Sequence, residues 1–150
     1  IVLDKYATTN REIGYTVGWL GYGWDGWGFV NNKMIQITQL GYPSELDRGV
    51  LQQRTDSLGY RDPISVNNTI FGSLQTGGSS GGPLLANLGV DPVPAAGTGF
   101  GKQSTSNTVV GVTSWGHTSG SVKLQGASPF TSNNIGSLVA TACGAFPTKC

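Results

Sequence analysis

The chain is short of charge. Nine Lys and Arg residues and eight Asp and Glu residues make up 11% of its 150 positions, with a net charge of +1. An average soluble protein carries roughly 25%. No basic face is available to hold a phosphate backbone, which excludes recognition of nucleic acid through charge. Long apolar runs are missing too: no stretch approaches the ~20 residues that cross a bilayer as a helix, and no membrane partner is expected. Histidine is scarcer still, since His117 is the single copy. Any mechanism that needs a His base within this chain has one candidate. Cysteine is limited to Cys143 and Cys150. With Gly144 and Pro147 between them, they read first as a disulfide closing a tight loop in an oxidising compartment; two free thiols on a frayed tail are the alternative. A metal centre is poorly served, because two Cys with no His or further Cys beside them do not complete a tetrahedral site.

What is present is a packed domain. The chain is 37% hydrophobic, with 4 Trp, 5 Tyr and 5 Phe, and carries 24 Gly and 7 Pro. Its length allows one domain, residues 1–150, and is too short for two ordinary ones. Apolar residues come in short runs bounded by Gly, Asn, Pro and Ser, the pattern of an all-β protein. The runs predict strands at 1–3, 16–21, 34–42, 50–57, 69–73, 83–87, 109–115 and 125–129. One helix is predicted over 131–143, with Ser132 as its N-cap and Gly144 as its C-cap. Residues 89–108 read as a polar surface loop. The start, Ile1-Val2-Leu3-Asp4-Lys5, has neither the basic start nor the apolar stretch of a secretory leader, and reads as a chain cut in mid-strand.

The sharpest local feature is Thr76-Gly77-Gly78-Ser79-Ser80-Gly81-Gly82-Pro83. A serine between glycines lets the backbone turn tightly and lets a substrate carbonyl approach main-chain N–H groups. A hydroxyl becomes a useful nucleophile only with a base to take its proton and donors to hold the oxyanion. Gly78 and Ser80 can supply those donors from the backbone. A plain Gly/Ser turn is the alternative on these residues alone. A second segment, Val109-Val110-Gly111-Val112-Thr113-Ser114-Trp115-Gly116, is an apolar strand ending in Ser-Trp-Gly.

Together these two segments, in this order, resemble the trypsin-like (chymotrypsin-fold) serine proteases, with their G-[DNS]-S-G-G-P and V-G-[IV]-x-S-W-G segments. Ile37-Thr38-Gln39-Leu40-Gly41-Tyr42-Pro43 is similar to a strand and turn of bacterial and fungal members related to the glutamyl endopeptidases. Gly18-Trp19-Leu20-Gly21 resembles the strand that opens their second barrel. The resemblance implies an antiparallel Greek-key β-barrel, the C-terminal barrel of a two-barrel protease, with a short C-terminal helix. It implies Ser80 as nucleophile, the N–H groups of Gly78 and Ser80 as oxyanion hole, and a substrate-binding region formed by Leu74, Ser114, Trp115 and Gly116. No cofactor and no metal are implied; the partners are a polypeptide substrate and the N-terminal barrel, and the location is secreted or extracytoplasmic.

Departures from the family pattern matter. Ser79 stands where animal enzymes carry an Asp that pairs with a new α-amino group, so Ile1-Val2 is not read as an activated N-terminus. Leu74 occupies the position of the carboxylate that selects Arg or Lys, and no Asp or Glu lies between Pro63 and Leu88. Thr113 stands where Glu-specific relatives carry His. The family's catalytic His and Asp precede the serine by a long distance. Ile1-Val2-Leu3 looks like the run just after that Asp, so the resemblance implies that both lie upstream of Ile1 and that this chain alone is not expected to be competent. His117 follows the substrate strand and reads as a rim residue; Asp4 reads as a solvated strand end.

Two other readings remain. Gly78-x-Ser80-x-Gly82 with Asp91 and His117 matches the chain order of α/β-hydrolases, although no βα alternation supports it. Trp19, Tyr22, Trp24, Trp27 and Phe29, interleaved with glycines, suit either a core or an exposed binding surface. A catalytically inactive protease homologue acting as a protein- or carbohydrate-binding module is therefore the non-enzyme alternative.

Overall fold

The computed structural model describes residues 10–25, 34–65, 67–91, 105–117 and 119–150. The predicted strand at 1–3, Asp4, Trp27, Phe29 and most of the 89–108 loop lie outside the described residues.

Seven strands form among the described residues: β1 (Gly21–Tyr22), β2 (Met34–Gly41), β3 (Gln53–Arg61), β4 (Thr69–Gly72), β5 (Pro83–Ala86), β6 (Thr108–Gly116) and β7 (Leu124–Pro129). β2, β3 and β4 run as consecutive antiparallel neighbours, and β5 returns to lie beside β2, a Greek-key order. β6 pairs with β5 and β7, and β7 pairs with β4, so six antiparallel strands close a ring. Closure removes exposed edges, which suits short strands rich in glycine.

Alternation sets which face turns inward. Along β2, Ile35, Ile37, Gln39 and Gly41 are buried while Met34 and Gln36 are exposed. The core unites Ile35, Ile37, Phe71, Leu84, Ala86, Val110 and Ala127. Phe71 is its largest side chain, and Ala86 and Ala127 are its smallest. Burying each of the large apolar side chains contributes about 1.5–3 kcal/mol.

Three elements differ from the sequence expectation, the first being β3, which starts at Gln53 rather than Val50 and runs on to Arg61. The segment 16–21 is not a strand: Gly14–Val17 forms one helical turn, α1, which ends at Gly18 with φ of 79°. Thr16 and Val17 have strand propensity but pair with no strand among the described residues. Only Gly21 and Tyr22 reach one, running parallel to Thr108 and Val109. The barrel therefore begins at β2, and β1 is an addition to it. At the C-terminus, Thr131 rather than Ser132 caps the helix, through a reciprocal bond with Asn134. A π turn over Ser132–Gly136 leads into α2 (Ser137–Ala145), which passes Gly144 and stops at Phe146, before Pro147. The Cys143–Cys150 disulfide then closes the tail, with Cα atoms 5.5 Å apart. Among the described residues, no helix is long and apolar enough to cross a membrane.

Candidate active site

The chain between β4 and β5 makes two tight turns in succession. In the first, Ser79 N–H donates to the Thr76 carbonyl at 3.2 Å, with Gly78 at φ 98°. In the second, Gly82 N–H donates to the Ser79 carbonyl at 3.0 Å, with Gly81 at φ 81°. Ser80 stands exposed on the crest between them. Glycine is required by contact at two points, and at Gly78 by conformation as well. A Cβ on Gly78 would lie 2.5 Å from the Tyr42 carbonyl oxygen, and one on Gly82 would strike that of Leu40. The loop is tied down on both flanks. Ser44 N–H donates to the Gly77 carbonyl (2.7 Å), while Gly81 N–H and the Gly82 carbonyl bond the Thr113 carbonyl and N–H (2.9 Å each). The N–H groups of Gly78 and Ser80 donate to no acceptor among the described residues.

A cavity of about 450 Å³ opens beside Ser80, between residues 73–80 and the end of β6 with the start of β7. Leu74, Trp115 and Gly116 line it; Ser114 does not. The register of β6 against β7 shifts between Thr113 and Trp115, and this bulge leaves Ser114 exposed on the strand. The Trp115 indole lies against Gly126, where any Cβ would collide with it. His117 also lines the cavity, exposed, with its ring edge-to-face on Trp115 at 5.4 Å. It makes no hydrogen bond to Ser80 among the described residues, which agrees with a rim position. The α/β-hydrolase reading fails on the fold: strand β5, not a helix, follows Ser80, and the sheet is a closed antiparallel barrel.

Beneath the cavity lies a buried amide network that the sequence reading missed. Gln75 N–H donates to Ser73 Oγ (3.1 Å), and Ser73 Oγ donates to Gln39 Oε1 (2.7 Å). Gln39 Nε2 donates to Gln125 Oε1 (2.6 Å) and Thr113 Oγ1 (3.1 Å). Gln125 Nε2 returns to the Gln75 carbonyl oxygen in a short bond. The ring starts and ends on the backbone of Gln75. Its N–H can only donate and its carbonyl can only accept, so every amide in between has one orientation. All of these side chains are buried. The available signal was Gln39, a polar residue at an inward position after Ile35 and Ile37. Among the described residues the cavity's acidic and basic side chains are Glu45, Lys123 and His117, all exposed, so the floor itself is neutral. No group of three His, Cys, Asp or Glu able to hold a metal occurs among the described residues.

No protein-family model matches the chain, and no curated protein matches it. Solved structures do. Protease Anisep from Arthrobacter nicotinovorans is 19% identical, with a TM-score of 0.62 over 93% of this chain and 55% of that one. Thermostable serine protease AL20 from an extremophilic microorganism is 19% identical, with a TM-score of 0.57 over 85% of this chain and 50% of that one. The chain thus spans about half the length of both structures. At this identity the likeness establishes the fold, a trypsin-like C-terminal barrel with one extra short strand and a terminal helix.

Proposed function

We propose that this barrel is the nucleophile-bearing half of a serine endopeptidase. The observation that carries the proposal is Ser80, exposed between two glycine turns beside the cavity, with the Gly78 and Ser80 N–H groups bonded to no acceptor among the described residues. In this reading Ser80 Oγ attacks the scissile carbonyl and gives its proton to a base. The carbonyl oxygen, now negative, accepts from Gly78 and Ser80 N–H. The amine leaves with that proton, and water then hydrolyses the acyl-enzyme. The peptide backbone lies along the edge around Ser114–Gly116, and its side chain enters the cavity lined by Leu74, Trp115 and Gly116.

His117 is not the base in this reading, so His and Asp come from an N-terminal half, the partner of this barrel. Two facts support that division: the solved neighbours are about twice as long, and the segment before the barrel is apolar and exposed. Tyr15, Val17 and Trp19 are 68%, 72% and 71% exposed. The Cys143–Cys150 disulfide supports a secreted protein. The finer likeness to glutamyl endopeptidases rests on residues 37–43 and is weakened by Thr113.

The test is labelling of the full-length protein with a fluorophosphonate. Stoichiometric labelling that disappears in Ser80→Ala supports the proposal; no labelling of the folded protein overturns it. The exposed aromatics, with Tyr22 stacked on Trp24 at 6.0 Å, favour one second reading, an inactive homologue that binds protein or glycan. Glycan binding lost in Trp24→Ala, with no labelling, identifies that case.

A further inference from the structure

The loop bearing Ser80 is held from below by a contact that involves no charge. Ser79 is buried, and its Oγ donates to Gln75 Oε1 at 2.9 Å. The other end of the same carboxamide grips β3: Gln75 Nε2 donates to Thr55 Oγ1 (3.2 Å) and to the Gln53 carbonyl (3.4 Å). β2 closes the third side. A Cβ on Gly41 would strike Gln75 Oε1 and lie 2.9 Å from both Ser79 Cβ and Ser79 Oγ. Gly41 is itself buried and has no positive φ, so what demands glycine here is the close approach of these two side chains. The backbone of Gln75 meanwhile begins and ends the amide ring beneath the cavity. One residue therefore ties the Ser80 loop to β2, β3 and the cavity floor.

We infer that Gln75, Ser79 and Gly41 form a neutral clasp whose function is to position the Ser80 loop, with Gln75 as its central positioning residue. The clasp is complete within the barrel. Every partner lies on β2, β3 or the loop itself, so the loop adopts its shape without a charged group brought from elsewhere. The inference rests on the proposal that Ser80 is the nucleophile, and it deepens that proposal by naming what aligns Ser80 and the Gly78 N–H.

Two variants of the full-length protein test it, each by two measurements. Ser79→Ala removes one hydroxyl from the clasp, and Gly41→Ala wedges a methyl group between its two side chains. In hydrogen exchange, the hydrogen-bonded loop amides of Ser79, Gly81 and Gly82 should exchange about tenfold faster in both variants, the equivalent of one lost buried hydrogen bond. Amides of β5 and β6 should keep their protection. In fluorophosphonate labelling, the maximal rate should fall by at least about tenfold, toward the ~10²–10³ typical of a lost oxyanion donor. The concentration giving half-maximal rate should change less than about twofold, because Leu74, Trp115 and Gly116, which receive the substrate side chain in this reading, are unaltered. Should Gly41→Ala fail to fold, Ser79→Ala decides alone. Unchanged loop exchange in Ser79→Ala overturns the clasp, and faster exchange with an unchanged maximal labelling rate overturns its positioning role. If the wild-type protein is not labelled, the protease reading and the positioning role fail, while loop exchange still decides whether the clasp holds the loop.

Discussion

Gly82 shows how little room single residues leave around the candidate site. It needs no unusual φ, yet a Cβ there would strike the Leu40 carbonyl and lie 2.9 Å from that of Ser79. Both obstacles are backbone and cannot rotate away. Gly82→Ala is therefore expected to destabilise the barrel by about 1–3 kcal/mol, read as a lower denaturant midpoint at constant slope. Asp56 offers an electrostatic example on the outer surface. The Thr38 hydroxyl, and then the Arg54 guanidinium 2.9 Å away, donate to its carboxylate and hold its pKa below the ordinary value. Because the folded-state pKa is depressed, its contribution to stability is present above the unfolded-state pKa. It is lost as pH falls through the folded-state value. Thr38→Val should move the Asp56 titration upward, followed by the carboxyl carbon shift in NMR. An unmoved titration would show that Arg54 alone sets it.

At the scale of elements, strands β2, β4, β5, β6 and β7 carry the packing and α2 does not. Phe71 is fully buried at the centre of the core, among Ile37, Leu84 and Val110. Its truncation to Ala should cost about 3–5 kcal/mol, measured by chemical denaturation. α2 has no buried residue. Its end is secured by a disulfide across a sequence separation of 7, which constrains only a short loop. Replacing Cys143 and Cys150 by Ser should lower stability by no more than about 2.5 kcal/mol. A larger loss would mean that the tail holds the barrel together, contrary to its peripheral packing. The bulge between Thr113 and Trp115 belongs to this scale as well. By adding a residue to β6 it keeps Thr113 buried beside Gln39 while Trp115 swings onto Gly126.

At the scale of the whole molecule, the barrel brings a cavity with a neutral floor to the foot of the Ser80 loop. Trypsin-like selection of Arg or Lys needs a buried carboxylate, and the acidic residue of the lining, Glu45, is exposed. With the full-length protein, peptide substrates bearing Arg or Lys before the scissile bond should be cleaved no faster than matched neutral ones. A preference for the basic residues of more than about tenfold, roughly 1.4 kcal/mol, would mean that another element supplies a carboxylate to the site.

The sequence by itself determined the class of fold and the crest of the site. Short apolar runs bounded by Gly, Asn, Pro and Ser suffice to call for an all-β protein; glycines around Ser80 suffice to call for a tight turn. The resemblance of two segments then pointed to their joint use. Where local preference competed with pairing, the sequence misled. Residues 16–21 have strand propensity and form a helical turn, because a strand exists only where an edge accepts it. Thr131 took the cap from Ser132 because Asn134 could answer it. Only the tertiary structure decided the floor beneath the cavity. Gln39, Ser73, Gln75 and Gln125 come from β2, the Ser80 loop and β7, far apart along the chain. They look like ordinary polar residues until barrel closure buries them together. Removed from water, each amide must find a partner inside the barrel, and the ring that results ties the loop carrying Ser80 to the core.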